Sequence, residues 1–293
     1  MIRKITYLFL LFLVFVNYSQ AQQLPHYSLY MFNDIAINPA VCGTKSSDMV
    51  FLSHRSQWSG FDGAPKTQLL SYNRNQNKNM GLGAVLFNDV TGPVSMTGAQ
   101  ISYGYNVKMS YEYTLSFGLS ANIFQYVFDG TKTQLHDDIY DPAAPGILEK
   151  TLVADATFGT YFYNDKLYIG LSVPNLIQSK INITTDNRLS RHYFIHSGYK
   201  FTLNNKFDFE PSLMFKATSS TPLQFDLNLR TIYDNKYWGG LSYRHKDAFV
   251  VMLGMDYKNY AFGYSFDFIL SDINSHASGS HGITLGYKFR NKD

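Results

Sequence analysis

The sequence predicts an all-β fold, a transmembrane outer-membrane barrel of about fourteen antiparallel strands with an irregular N-terminal segment. Three observations predict it. Apolar residues recur at every second position from about Met49 to the end, the period of strands whose two faces meet different environments. Aromatic and charged residues each make up 16% of the 293 residues, and the charged share is well below the quarter usual in soluble domains. The links between strands alternate between short and long, as in bacterial barrels.

Residues 1–21 read as a secretory signal peptide. Arg3 and Lys4 form its positive end, Ile5 to Val16 its apolar stretch and Ser19-Gln20-Ala21 a small-x-small cleavage site, so the mature chain is expected to begin near Gln22. No Cys follows that site, which argues against a lipid anchor. Cys42 is the only Cys in the chain and is expected to be buried and inert. The formal charge of +3 is too small to point to a nucleic-acid partner.

The stretch from Gln22 to Asp48 has no strand period and contains Asn38-Pro39 and Gly43. It is expected to plug or line the lumen, or to remain as a periplasmic arm. Beyond the signal, no apolar run reaches the eighteen residues of a spanning helix. Strands fill the rest of the chain, residues 49–293. Tyr260, Phe262, Tyr264, Phe266 and Phe268 alternate with Ala261, Gly263, Ser265 and Asp267, and Ile283, Leu285, Tyr287 and Phe289 with Gly282, Thr284, Gly286 and Lys288. Leu115, Phe117, Leu119 and Ala121 repeat the pattern, as do Leu223, Phe225, Leu227 and Leu229 against Gln224, Asp226, Asn228 and Arg230. A soluble sandwich also alternates, but here the polar face is rich in Gly, Ser, Thr, Asn and Asp and poor in the Lys and Glu that face bulk water. An enclosed wet lumen fits that set.

Short links are expected near Lys108 to Ser110, Asn164 to Lys166, Leu203 to Asn205, Asp234 to Lys236 and Lys258-Asn259, all rich in turn formers. Longer ones are expected near Gln57 to Lys66, Asn88 to Ser95, Asp129 to Leu152, Pro174 to Ser190 and Leu270 to Gly279, with two brief exceptions at Thr218 to Thr221 and Arg244 to Ala248. An even strand count puts both termini at the periplasmic end. Hydrocarbon offers no hydrogen-bond partner, so the sheet has to close. About eight strands already make a barrel that its own side chains can fill, so fourteen leave room for something else.

Several motifs in this order resemble the PorP/SprF membrane proteins of the Bacteroidota type IX secretion system. They are Tyr30-Met31-Phe32-Asn33, Ile37-Asn38-Pro39-Ala40 leading to Gly43, Arg55-Ser56-Gln57-Trp58 before Gly63-Ala64-Pro65, Gly81-Leu82-Gly83, and the closing Gly282 to Phe289. The resemblance covers essentially the whole mature chain. It departs at Cys42, where the family pattern has a small residue, and in a tail, Arg290 to Asp293, beyond the last aromatic. It implies an outer-membrane component that meets other secretion subunits, a periplasmic motor ring or peptidoglycan-linked lipoproteins, or serves one secreted adhesin, as in gliding motility.

The candidate partner-binding or plug residues are Tyr30, Phe32, Asn33, Asn38, Pro39, Arg55, Gln57 and Trp58. The segment around Tyr30 either braces the barrel from inside or faces periplasmic machinery. Arg55, Gln57 and Trp58 sit near an outer loop, where Trp58 is read as an interface anchor and Arg55 as a paired lumen charge, ahead of direct cargo contacts. His136, Asp137, Asp138 and Asp141 carry metal-type donors without calcium-loop spacing, and His276 and His281 flank a Ser/Gly-rich loop. No metal or cofactor is expected. No G-x-S-x-G elbow appears, so no enzyme is expected. Gly81-x-Gly83 lies in an alternating segment, where it permits tight packing against lumen material and does not cradle phosphate. A porin for small-solute diffusion or uptake is the competing reading, since the same alternation would produce it.

Overall fold

The computed structural model describes residues 28–77, 79–132, 146–183, 185–218 and 221–289. Residues 1–21, expected as a signal peptide, residues 22–27 of the expected plug, the group His136, Asp137, Asp138 and Asp141, and the tail Arg290 to Asp293 lie outside the described residues.

The wall is built from β1 (Met49–Ser56), β2 (Lys66–Asn77), β3 (Met80–Thr91), β4 (Val94–Lys108), β5 (Thr114–Asp129), β6 (Leu148–Tyr163) and β7 (Leu167–Val173). A small hairpin, β8 (Lys180–Ile183) and β9 (Thr185–Arg188), interrupts it. The wall resumes with β10 (His192–Tyr199) and its continuation β11 (Phe201–Thr202), then β12 (Phe207–Thr218), β13 (Thr221–Tyr233), β14 (Tyr237–Arg244), β15 (Ala248–Tyr257), β16 (Tyr260–Ile269) and β17 (Ser280–Lys288). Each strand pairs antiparallel with its neighbours, and β10 pairs with β12. The chain's two ends meet where β1 pairs with β17, from Met49↔Lys288 to Ser56↔His281. Counting β10 and β11 as one wall strand, the sheet is a closed barrel of fourteen. Every wall strand has a strand partner on both sides, so the ladder closes on itself as hydrocarbon requires.

Alternation decides which way each side chain points. On β17 Ile283, Leu285 and Tyr287 are exposed, while Ser280, Gly282, Thr284 and Gly286 are buried. On β5 Phe117, Leu119 and Ile123 face out, and Ser116, Gly118 and Ser120 face in. The usual soluble order is therefore inverted. The exposed apolar band of Leu, Ile and aromatic side chains is a lipid face, and the buried polar set is the lumen. Among the described residues, no helix is long and apolar enough to cross a membrane. Exposed aromatics gather at the end where β1 begins and β17 finishes, including Tyr105, Tyr199, Phe201, Tyr233, Tyr237, Tyr257, Tyr260 and Phe289, where an interface girdle belongs.

At that end the turns are short and chemically determined. Asn164 Oδ1 accepts from Lys166 N at 2.8 Å and Leu167 N at 2.6 Å, and Asn204 Oδ1 repeats this with Lys206 N and Phe207 N. Asp234 and Asn235 hold φ at 52° and 50°, the double left-handed geometry that suits a tight hairpin. By the short-turn rule this is the periplasmic end. The link after β4 is longer than expected, occupying residues 109–113.

The opposite end corrects two expectations. Asn88 to Ser95 is not a long loop, because β3 and β4 pair as far as Thr91↔Val94 and only Gly92-Pro93 connects them. The loop expected over Asp129 to Leu152 likewise ends earlier, with β6 starting at Leu148. These polar stretches continue the ladder beyond the bilayer, where water lets a strand be polar on both faces. The segment Pro174 to Ser190 contains the β8–β9 hairpin, whose Ile181 and Ile183, together with Leu189, pack against Phe124 and Val153 on β5 and β6.

Candidate functional site: the filled lumen

Residues 28–48 occupy the space that fourteen strands cannot fill. Two short 3-10 turns, Asp34–Ala36 and Pro39–Val41, give the segment its shape. Asn38 begins the second: Ala40 N donates to its Oδ1 at 3.0 Å, and Pro39 sits at the first helical position.

The segment is bonded to strands on every side. Asn33 Nδ2 donates to Ser53 Oγ on β1 at 2.6 Å, and its Oδ1 accepts from Ser71 Oγ on β2 at 2.6 Å. Gly43 N donates to Asn73 Oδ1 at 3.0 Å, and Gln100 on β4 donates to Ile35 O at 3.1 Å. Across the lumen Asn38 Nδ2 donates to Thr160 O on β6 at 3.0 Å and to His196 Nε2 on β10 at 3.2 Å. Asn228 Nδ2 on β13 donates to Tyr30 Oη at 2.7 Å. Only a segment inside the barrel can reach all these inner faces at once.

Glycines make room for it. A Cβ on Gly118 would overlap the backbone of Ala40, and one on Gly81 would overlap that of Cys42 and Gly43. Gly83 faces Ile35 and the Cys42 sulfur, so Gly81-x-Gly83 packs against lumen material. Cys42 is fully buried, and that burial pushes its thiol up to about 12. Phe32 lies between Phe51 and Trp238, with ring centroids at 5.9 and 5.0 Å.

An ionic cluster occupies one side of the outer half of the lumen, around Ser28. Arg55 Nη2 donates to Asp267 Oδ2 at 2.7 Å and its Nη1 to Ser28 Oγ, while Ser28 Oγ also bonds Asp267 Oδ2 at 2.9 Å. Arg244 reaches Asp267 at 3.3 Å, Asp247 at 2.9 Å, Asp226 at 3.7 Å and Ser28 Oγ at 3.0 Å. Lys216 Nζ pairs with Asp226 at 2.6 Å. Three cations thus face three anions, which offsets the desolvation of groups as buried as Arg244 and Asp267, 2% and 1% exposed.

Two cavities flank the segment. The periplasmic one, of about 240 Å³, is lined by Tyr30, Tyr161, Tyr163 and Tyr168 with the ion pairs Asp34–Lys45 and Glu210–Arg230. The Asp34 carboxylate holds the Lys45 ammonium above its usual range. The outer cavity, of about 160 Å³, is mostly apolar.

The expected site residues divide accordingly. Tyr30, Phe32, Asn33, Asn38, Pro39 and Arg55 all belong to the lumen filling or its anchors. Gln57 is buried just beyond β1, its backbone N bonded to Pro65 O at 2.9 Å. Trp58 stands apart in the outer loop, half-buried at φ 51°, with its N–H donating to Ser280 Oγ at 3.1 Å. Sequence reasoning missed Ser28, Arg244, Lys216 and Trp238. Asp226 and Asp267 were seen only as members of a polar face. His276 and His281 lie at the outer end, His281 Nδ1 sharing a hydrogen bond with Tyr264 Oη at 2.8 Å. Among the described residues no group of three or more His, Cys, Asp or Glu could hold a metal ion.

A family model described as type IX secretion system membrane protein PorP/SprF matches residues 19–287. The chain belongs to the PorP/SprF family. This PorP/SprF protein is an outer-membrane β-barrel component of the type IX secretion system. No curated protein matches it. Among solved structures it is similar to the CymD monoaromatic hydrocarbon channel, at 10% identity over 88% of this chain and 93% of that one, with a TM-score of 0.51. A TodX deltaS2S3 mutant monoaromatic hydrocarbon channel gives 10% identity, 87% and 93% coverage and a TM-score of 0.53. The Pseudomonas putida toluene transporter TodX gives 9%, 92% and 95%, and 0.50. At such identities the likeness concerns the fold alone.

Proposed function

We propose that this PorP/SprF barrel acts as a non-conducting docking component, supporting secretion or surface attachment of a partner protein such as an adhesin. It works by binding, without reaction chemistry. Where the cargo is a motility adhesin, it serves gliding. The observation that carries this reading is the filled lumen, since a segment bonded to wall strands on all sides leaves no open path for solutes. The periplasmic cavity, with its tyrosines and rim charges, is the surface offered to a periplasmic motor ring or peptidoglycan-linked lipoproteins. The outer loops, including Trp58, are the surface offered to cargo.

The competing reading is a channel for small solutes, which the same barrel architecture would serve if its lumen were open. The bonds that hold residues 28–48 in place weigh against it. Deleting the chain from its host is expected to block surface display of at least one secreted protein while small-solute permeability stays unchanged. Normal display in the deletion strain would overturn the proposal. In planar bilayers the purified protein is expected to be nearly silent, and large steady currents would favour the channel.

A further inference from the structure

The outer cavity has the form of a binding pocket that the docking role does not use. Its floor is the luminal segment at Ile37, and its walls are Phe87, Met96, Phe124, Phe194 and Met214. Leu189 and Pro174, on either side of the β8–β9 hairpin, complete it. At about 160 Å³ it compares with an engineered apolar cavity of roughly 150 Å³ that stays dry and takes up benzene. One aromatic ring fits it, and the thioethers of Met96 and Met214 are favourable neighbours for a ring.

The polar groups on its wall are selective. His192 is 7% exposed. Its Nδ1 lies 2.9 Å from Ser190 O, a carbonyl that can only accept, so in the neutral ring Nδ1 carries the proton and Nε2 keeps a lone pair. Nε2 has no partner among the described residues. Asn122 donates through Nδ2 to Thr157 Oγ1 at 2.9 Å, leaving its buried Oδ1 without a partner. Of the donors on the same wall, Lys216 is engaged with Asp226 and Gln100 Nε2 with Ile35 O and Ser102 Oγ, while the buried Thr218 Oγ1 has no partner among the described residues and can either donate or accept. The pocket therefore presents apolar volume for one ring together with open acceptors, and it suits a ligand that brings a hydrogen-bond donor.

We propose that this outer vestibule binds a small monocyclic phenol, with the ring among Phe87, Met96, Phe124 and Met214 and the O–H donating to His192 Nε2. The luminal segment beneath makes it a blind pocket, so the ligand is held and not passed through. The pocket stands independently of the secretion role.

The test is calorimetric titration of the full protein in detergent with p-cresol, and with toluene, which has the same ring and methyl group but no donor. Saturable binding of one p-cresol per chain is expected, with toluene about fivefold weaker, the worth of one net hydrogen bond. Two cavity-filling variants, Thr218→Phe and Met96→Trp, are each expected to abolish binding, and heat-modifiable migration on gels identifies those that still fold. His192→Phe is expected to bring p-cresol down to the affinity of toluene. Uptake no greater than by empty micelles, equal affinity for the two probes, or binding unchanged in both folded filling variants would overturn the proposal. So would a tyrosine-containing pentapeptide that binds where p-cresol does not, which would assign the pocket to a polypeptide.

Discussion

Arg244 shows what single buried charges do in this barrel. It is the last residue of β14 and touches three carboxylates and Ser28, so removing it takes away the cation of Asp247 and leaves Asp226 with Lys216 alone and Asp267 with Arg55 and Ser28. Arg244→Met is expected to destabilise the folded barrel by on the order of 3 kcal/mol, read from the urea midpoint of heat-modifiable migration. Arg55→Met should cost about half as much, because Asp267 retains Arg244 and Ser28; the reverse ranking would mean that the cluster is not organised around Arg244. Gly118 acts through space instead of charge. Gly118→Val places methyl groups where the Ala40 backbone lies, and the expected outcome is an unseated luminal segment, seen as channel steps in planar bilayers where the parent protein is silent. The inward position of Asp226 and Asp267 was readable from alternation. Their partners were not, since nothing in a two-residue period says which inward charges meet across a lumen. Ser28 was beyond reach for the same reason, being one polar residue in a segment without a period.

Elements were legible where chemistry is local. The turns at Asn164 to Lys166, Asp234 to Lys236 and Lys258-Asn259 fall where Asn, Asp and Lys mark them, because a turn is specified by its own few side chains. The outer strand ends were misjudged at Asn88 to Ser95 because polarity ceases to mark strand limits once the wall rises out of hydrocarbon. The β8–β9 hairpin was missed inside a stretch that reads as loop, its Ile181 and Ile183 being too few to set a period. Those two side chains hold it: Ile181→Asp is expected to release the hairpin from Phe124 and Val153. Surface protease should then cut within residues 174–191 while the barrel keeps its heat-modifiable band. Continued resistance to cleavage would show that Leu189 and the bond from Ser179 N to Asp155 Oδ2 on β6 suffice.

Across the whole molecule the governing fact is the inversion of polarity, and it was plain in the sequence because one period runs through every wall strand. Leu119 lies midway along the outward row Leu115 to Ile123 and is 55% exposed to the lipid side. Leu119→Arg is expected to cost about 2–4 kcal/mol of stability in lipid, whereas the same change at Leu203, in a periplasmic turn, should cost little. Equal effects at the two positions, measured by unfolding in bilayers, would contradict this placement of the bilayer. Fourteen strands also explain why residues 28–48 had to go somewhere, although only their lack of a period hinted at it. The pairing of β1 with β17 adds a constraint on how the molecule is made. Residues 28–48, which precede every wall strand in the chain, become the innermost, and the last hairpin supplies both Asp267 and the zip that locks the cylinder. A nascent chain halted before β16 would hold its core with no latch, so insertion must wait for the C-terminal strands and then wrap the wall around contents already in place.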